Sequence, residues 1–329
     1  MGSNTGLTDK RAAQFRDEGY TMVPDLFRPE DLVGLRNEIA GIVDTTARRL
    51  HAEGSIENLH DDEPLETRLT RLLADRGDLA PEYIKAIEGK AGGGHAGREM
   101  FQVMSHPNLL NALEKLIGPE IVASSVYRIR PKVPGWGRGV VPWHQDSGYF
   151  EAHCDRSLIV TCWIPLVDST PENGCLQVLP RAHRSGVLTH HTGGNAGFLV
   201  IEDSDLPPPP MDAVTVPVPL GGVLFLTNLA PHCSTPNVTD TIRWSVDLRY
   251  QSADVPTNAL QNPEDFDPDA DPITIACYPP EADFVVRSRA RPETVLTEWT
   301  RFAERRAIYD AAPLPYPQRG WQPIGTPSE

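Results

Sequence analysis

The feature that most constrains the fold is a change of period at Gly118. Before it, apolar residues recur every three or four positions. After it, they come in short β-branched and aromatic runs cut by proline and glycine. Thr8–Asp17 reads as a short helix and Gly19–Pro24 as a brief strand. Pro29 suits the first turn of a longer helix, on which Leu32, Leu35, Ile39, Ile42 and Val43 share one face. Leu65, Leu69, Leu72 and Leu73 mark another helix, and Pro107–Ile117 a further one that stops at Gly118. The glycine-rich stretch Ala91–Gly97 reads as a loop. Beyond Gly118, Ile121–Ile129, Ser157–Leu166, Cys175–Leu179, Ala213–Val218, Val223–Thr227 and Ile242–Tyr250 read as strands. They are separated by turn chemistry at Pro171-Glu-Asn-Gly174, Pro207–Pro210 and Leu220-Gly-Gly222. The pattern predicts a mainly β protein with flanking α-helices: a helical lead-in over 1–118, an all-β barrel or sandwich over 119–255, and a C-terminal extension over 256–329. That extension has a Pro/Asp-rich start and a helix over Glu293–Tyr309, whose Val295, Leu296, Trp299, Phe302 and Ile308 are candidate packing residues.

Composition narrows the function classes. The chain of 329 residues is long enough to bury a sizeable core as one large domain, and its formal charge of −15 leaves no broad basic face for nucleic acid or an anionic membrane. No apolar run approaches a membrane span, and no apolar signal segment opens the chain. Five cysteines without paired spacing predict reduced thiols and a cytoplasmic setting.

The chemistry gathers around Val140–Phe150, which reads Val-Val-Pro-Trp-His-Gln-Asp-Ser-Gly-Tyr-Phe. On a strand, His144 and Asp146 would project to the same face, an imidazole beside a carboxylate. That is two-thirds of a two-histidine, one-carboxylate metal site. His232 follows a predicted strand and is the natural third ligand. Arg243 lies on the next one, where a guanidinium can grip a carboxylate through two parallel hydrogen bonds. Three facial ligands leave three positions open on the metal. A chelating keto acid could take two and dioxygen the third, with Arg243 holding the far carboxylate.

An ordered set of motifs makes the comparison specific. Asp17-Glu-Gly-Tyr20 is followed by Trp143-His-Gln-Asp146, Cys162-Trp-Ile-Pro-Leu166 and Glu172-Asn-Gly-Cys-Leu-Gln-Val-Leu-Pro180, and then by His232-Cys-Ser-x-x-Asn237 and Arg243. From about Phe15 to Tyr250 the chain resembles the phytanoyl-CoA dioxygenase family of Fe(II)/2-oxoglutarate-dependent oxygenases. The resemblance implies a double-stranded β-helix, or jelly-roll barrel, with the N-terminal helices packed outside. It also implies Fe(II) on His144, Asp146 and His232, with 2-oxoglutarate and dioxygen as cosubstrates. Arg243 would hold the distal carboxylate of 2-oxoglutarate, with Ser234 and Trp163 beside it. Where the family usually has Pro-Gly-Ser-His, this chain has Pro180-Arg-Ala-His183, which leaves the shape of that turn open.

The implied reaction oxidises, in its simplest form hydroxylates, a C–H bond of a small molecule and releases succinate and carbon dioxide. The carboxylate at Asp146 favours oxygenation over halogenation. Tyr149, Phe150, Trp143 and Arg128 are candidate substrate contacts, and Gln102 is a candidate for the cosubstrate or substrate pocket. Gln145 would point away from the ligands. His183 is expected to be structural, and His190 and His191 to be loop residues. Arginine far outnumbers lysine, a bias of GC-rich bacterial genomes that fits biosynthetic tailoring. A monomer or homodimer fits the composition. Two other readings stay open: a zinc or manganese isomerase or hydrolase of cupin type, and a binding barrel without turnover.

Overall fold

The computed structural model describes residues 6–88, 96–150, 152–207, 212–255, 283–311 and 319–325. Most of the predicted loop at 91–97, the Pro207–Pro210 turn beyond its first residue, and the Pro/Asp-rich start of the C-terminal extension lie outside the described residues.

The lead-in is helical: α1 (Asp9–Glu18), then strand β1 (Tyr20–Val23), α2 (Val33–Ala52), α3 (Leu65–Asp75), α4 (Ala80–Glu88), α5 (Arg98–Met104) and α6 (Pro107–Ile117). The Thr8 hydroxyl caps α1 by accepting from the Arg11 amide, and Gly19 ends the helix at φ +83° with its N–H on the Phe15 carbonyl. Pro29 opens a 3₁₀ turn over Pro29–Leu32, and the α-helix proper begins only at Val33. The sequence pattern did not reveal α4 or α5. The start of α5 is completed from a distance, because Glu38 on α2 accepts from the Glu99 and Met100 amides.

The β elements are β2 (Ile121–Ala123), β3 (Arg128–Lys132), β4 (Ile159–Pro165), β5 (Leu176–Val178), β6 (His191–Thr192), β7 (Val214–Val216), β8 (Val223–Thr227), β9 (His232–Ser234), β10 (Arg243–Ser252), β11 (Phe284–Arg287) and β12 (Gln322–Pro323). A large antiparallel sheet runs β1-β8-β4-β10-β2-β11, with β3 also on β10. A three-stranded antiparallel sheet runs β7-β5-β9, and β6 pairs with β12 in parallel. The predicted single strand Ile121–Ile129 is two strands. Both lie along one edge of β10, β3 against Arg243–Asp247 and β2 against Tyr250–Ser252, while β4 takes the other edge.

Strand β10 divides the molecule's chemistry. Trp244, Val246, Leu248 and Tyr250 enter the main apolar core with the helices. The Trp244 indole donates to the Leu65 carbonyl and the Tyr250 hydroxyl to the Met104 carbonyl, which ties the sheet to α3 and α5. The alternate residues Arg243, Ser245, Asp247, Arg249 and Gln251 face the other way. The C-terminal helix α7 (Trp299–Ala311) starts later than the predicted Glu293. Its Phe302 is fully buried, 5.6 Å from the Phe101 ring and 5.5 Å from that of Phe284, whereas Trp299 is largely exposed.

Candidate metal centre

The three predicted ligands meet. One ligand atom each from His144, Asp146 and His232 lies within 4.8 Å of the others, and all three residues are buried. The local geometry differs from the expected strand. His144 makes an isolated antiparallel bridge to His232, with N–H···O distances of 3.0 and 2.9 Å, and Asp146 opens the 3₁₀ turn Asp146–Tyr149. Pro142 has no N–H to extend a ladder, and the Ser147 amide leaves the strand direction to reach the Asn228 carbonyl. The two ligands therefore converge through a bridge and a turn, not through a pleat.

Both imidazoles are fixed in tautomer. His144 Nδ1 lies 2.9 Å from the Pro142 carbonyl and His232 Nδ1 lies 2.9 Å from the Ala230 carbonyl. A carbonyl only accepts, so each Nδ1 carries the proton and each Nε2 presents a lone pair. Burial, aided by the neighbouring His232, pushes the His144 pKa down to about 3, so the ring stays neutral. Burial alone would raise the Asp146 carboxyl. The Arg249 guanidinium, the two imidazoles and the Thr161 hydroxyl outweigh it and hold the group well below the usual carboxylate range. Arg249 Nη2 donates to Asp146 Oδ1 at 3.0 Å and Thr161 donates to Oδ2. Two neutral nitrogens and one anionic oxygen make a donor set for a first-row divalent ion, which bonds such atoms at about 2.1 Å.

A second group of polar residues lies on the same face of β10. Arg243 is buried, and its guanidinium carbon stands 5.0 Å over the Trp163 ring. One nitrogen donates to the Gly174 carbonyl at 2.8 Å, while the buried Nε has no hydrogen-bond partner. Burial lowers the Arg243 pKa to about 10, still fully charged near neutrality. Directly opposite Arg243 in the β3–β10 register is Lys132, 2% exposed. Its ammonium donates to Ser234 Oγ at 2.6 Å and to the Gly139 carbonyl at 2.9 Å. Burial and then the Arg243 charge lower its pKa to about 7. Ser234 Oγ also accepts from the Val141 amide at 3.1 Å, leaving its own proton to donate. An orphaned guanidinium N–H, an ammonium and a hydroxyl donor at one buried place form a cradle for an anion.

The flanking candidates separate. Tyr149 sits edge-on to His144, ring centroids 6.0 Å apart, and its hydroxyl accepts from the Leu199 amide. Burial raises its pKa. Phe150 is buried under the Arg249 guanidinium. Trp143 is half-buried, its carbonyl taking the Ile201 amide at 2.7 Å. Arg128 shares a face of β3 with Arg130 and Lys132 and lies opposite Asp247. Gln102 is not brought to this region: it lies on the exposed side of α5, its amide turned toward Glu99 and Arg98, because the other side of that short helix is needed for the core. Gln145 points away from the ligands as expected and is fully buried, its amide bonded to the Gly186, Leu188 and Leu229 backbone. His183 is structural, packed on Gly19. His190 lies on a loop as expected and His191 in the two-residue strand β6, and both are buried. His190 Nε2 accepts from the Gln145 amide at 3.0 Å, between the two ligands.

Reasoning from sequence missed Lys132, Thr161, Arg249 and His190 as parts of the site. The first three carry a signal only through strand register, and His190 reaches the ligands across 45 residues. Four cysteines (154, 162, 175 and 233) are buried free thiols, and burial pushes Cys233 up to about 12. Among the described residues no helix is long and apolar enough to cross a membrane.

The chain is similar to known proteins along most of its length. The family model for phytanoyl-CoA dioxygenase (PhyH) matches residues 15–245. Phytanoyl-CoA dioxygenase domain-containing protein 1 of Danio rerio is 25% identical, across 79% of this chain and 94% of that protein. A methylphosphonate hydroxylase of Gimesia maris is 28% identical across 76% and 82%, and the peroxisomal phytanoyl-CoA dioxygenase of Homo sapiens is 24% identical across 76% and 70%. Among solved structures, the non-heme monooxygenase ThoJ in its apo form aligns with a TM-score of 0.53 at 20% identity, covering 91% of this chain and 96% of that one. This likeness speaks to the fold. The matched span contains both the triad and Arg243, and the chain belongs to the phytanoyl-CoA dioxygenase family of Fe(II)/2-oxoglutarate-dependent oxygenases.

Proposed function

We propose that the protein hydroxylates an unactivated C–H bond of a small molecule, with His144, Asp146 and His232 holding Fe(II). The observation that carries this reading is the pairing of two tautomer-locked imidazoles and a charged carboxylate with a buried, incompletely bonded guanidinium on the same face of β10. Bound there, iron with 2-oxoglutarate and dioxygen supplies the oxidising chemistry, with succinate and carbon dioxide as coproducts. The large sheet and the β7-β5-β9 sheet are then the two faces of a jelly-roll barrel, with the site between them.

The chain's own residues do the positioning. The Nδ1–H bonds of His144 and His232 hold each ring so that only Nε2 faces the ion. Arg249 and Thr161 keep Asp146 ionised and fix its rotation. Arg243, Lys132 and Ser234 take the distal carboxylate of 2-oxoglutarate, and Trp163 forms the wall beneath the guanidinium. Tyr149, Phe150 and Trp143 exclude water on the substrate side, and Arg128 is placed to meet an acidic group of the substrate. The name of the Gimesia maris relative supports hydroxylation.

The test is succinate release from 2-oxoglutarate by the protein with Fe(II) and ascorbate under air, across a panel of small acids and acyl compounds. We expect stimulated release together with a product heavier by one oxygen atom. No release at full metal occupancy with any compound rejects the oxygenase reading of this site.

A further inference from the structure

The residues after the matched family span contain a segment with no role in the site so far. Residues 319–325 return to the triad. β12 pairs with β6, Gln322 opposite His191, and the Ile324 amide donates to the Thr192 carbonyl at 3.0 Å. Two side chains of this strap grip the turn that carries Asp146. The Trp321 indole N–H donates to the Gly148 carbonyl at 2.9 Å. Arg319 donates to the Phe150 carbonyl and makes a two-bond ion pair with Asp155.

A third contact reaches between the ligands themselves. The Trp321 ring lies 5.2 Å from that of His190. His190 donates from Nδ1 to the Leu188 carbonyl, so its Nε2 is the acceptor for the Gln145 amide. The imidazole packs so tightly on Gly148 that a Cβ there would stand 2.6 Å from the ring. Indole, imidazole and glycine thus form a stack whose last member lies two residues from Asp146. The strap fixes the backbone at Gln145, Gly148 and Phe150, which bracket the carboxylate ligand and the candidate substrate aromatic.

We infer that Trp321 and Arg319 are positioning residues: the C-terminal strap holds the Asp146–Tyr149 turn in the shape that aims Asp146 at the metal. This rests on the metal reading of the triad. The cost of an ion site is set by how well its ligands are held in advance, and partners of ligands change metal affinity by about 10–100-fold when lost. The strap acts through backbone carbonyls and one imidazole, so it should follow the lower part of that range.

The test uses full-length protein freed of metal, with Co(II) as the probe. Three quantities are read: Co(II) affinity, deuterium exchange of the peptide covering residues 143–150, and melting temperature without metal. Trp321→Ala should weaken Co(II) about 10-fold and speed exchange at Gln145 and Gly148. Trp321→Phe keeps a ring against His190 but removes the N–H, and should weaken Co(II) about 3-fold, with a melting temperature near wild type. Arg319→Lys should fall between the two. The Phe variant decides the matter if the Ala variant melts early. Wild-type affinity and exchange in Trp321→Phe and Trp321→Ala overturn the proposal, and so does weakened binding in Trp321→Phe without faster exchange. A wild-type protein that fails to bind Co(II) instead rejects the metal reading of the triad.

Discussion

The two ends of the buried polar face differ in how their charges are satisfied. At the triad, every ligand is already tied down: each imidazole by a carbonyl, the carboxylate by Arg249 and Thr161. These atoms suit a cation. At the other end, Arg243 has one protein hydrogen bond and an orphaned Nε, with the amine of Lys132 facing it across the ladder. That end suits an anion. A buried charge without its partner costs several kcal/mol, and that cost falls on the Arg243 end, since Asp146 is already paired with Arg249. On the function proposed above, one molecule with a chelating head and a distal carboxylate would relieve that cost and reach the metal held by the triad. In that reading, 2-oxoglutarate would be recognised through the hydrogen-bonding capacity that Arg243 does not use within the protein.

Breaking the cation end alone should give the largest effect. His144→Ala removes a ligand, and should weaken Co(II) by more than about 100-fold, since losing a ligand exceeds losing a ligand's partner. Succinate release should fall to background. Titration of metal-free protein by calorimetry checks this, and near-wild-type Co(II) affinity would remove His144 from the site. Breaking the anion end should leave the metal in place. Arg243→Ala removes one side of a buried charge pair, worth about 3 kcal/mol, and should raise the 2-oxoglutarate requirement about 100-fold. Co(II) affinity should stay within about twofold, since neither end shares a ligand with the other. Equal losses at both ends would abolish the distinction between them.

Lys132 makes the anion end sensitive to pH. Its folded pKa of about 7 lies below the unfolded value near 10.4, so burial favours the neutral amine. The sign follows: its contribution to stability is complete above the unfolded value and is lost as pH falls toward 7. The empty protein should therefore gain stability from pH 7 to 9, by up to about 1.4 kcal/mol per pH unit. A bound carboxylate reverses the preference and restores the proton. Binding of 2-oxoglutarate at pH 8 should then take up a proton, seen as a heat that varies with the buffer's ionisation enthalpy. Lys132→Met should lose that dependence and bind about 10-fold more weakly. An identical buffer dependence in the variant would place the proton elsewhere.

How much of this was legible in the sequence follows from what each residue signals. His144, Asp146, His232 and Arg243 stand in recognisable local motifs, and the structure brings the first three together with only His232 on a strand. Lys132 and Arg249 stand in none. The placement of Lys132 depends on β3 running from Arg128 to Lys132, whereas the apolar pattern ended that strand at Ile129, and Arg249, though inside a predicted strand, meets Asp146 from 103 residues away. A register is a property of two strands, and a single run of residues does not contain it. The strap is harder still, because Trp321 acts on a turn 173 residues earlier through a two-residue pairing. The short β9 was missed because the turn residues before His232 hide three strand positions.

A change that touches neither end provides the smallest effect and the control for the others. The family's usual glycine in the Pro-Gly-Ser-His turn is Arg181 here, and the structure answers what that departure does: Arg181 adopts φ +67°, keeping the turn a glycine would make, with its amide on the Glu18 carbonyl. A side chain in the left-handed region costs about 1–2 kcal/mol. Glycine would relieve that strain but return about 0.4–1 kcal/mol of entropy to the unfolded chain. Arg181→Gly should therefore stabilise the protein by roughly 0.5 kcal/mol, a rise of about 1–2 °C in a chain of this size. Co(II) and 2-oxoglutarate affinities should not move, because the turn donates nothing to either end. A variant that shifts either affinity would show that this turn is coupled to the site.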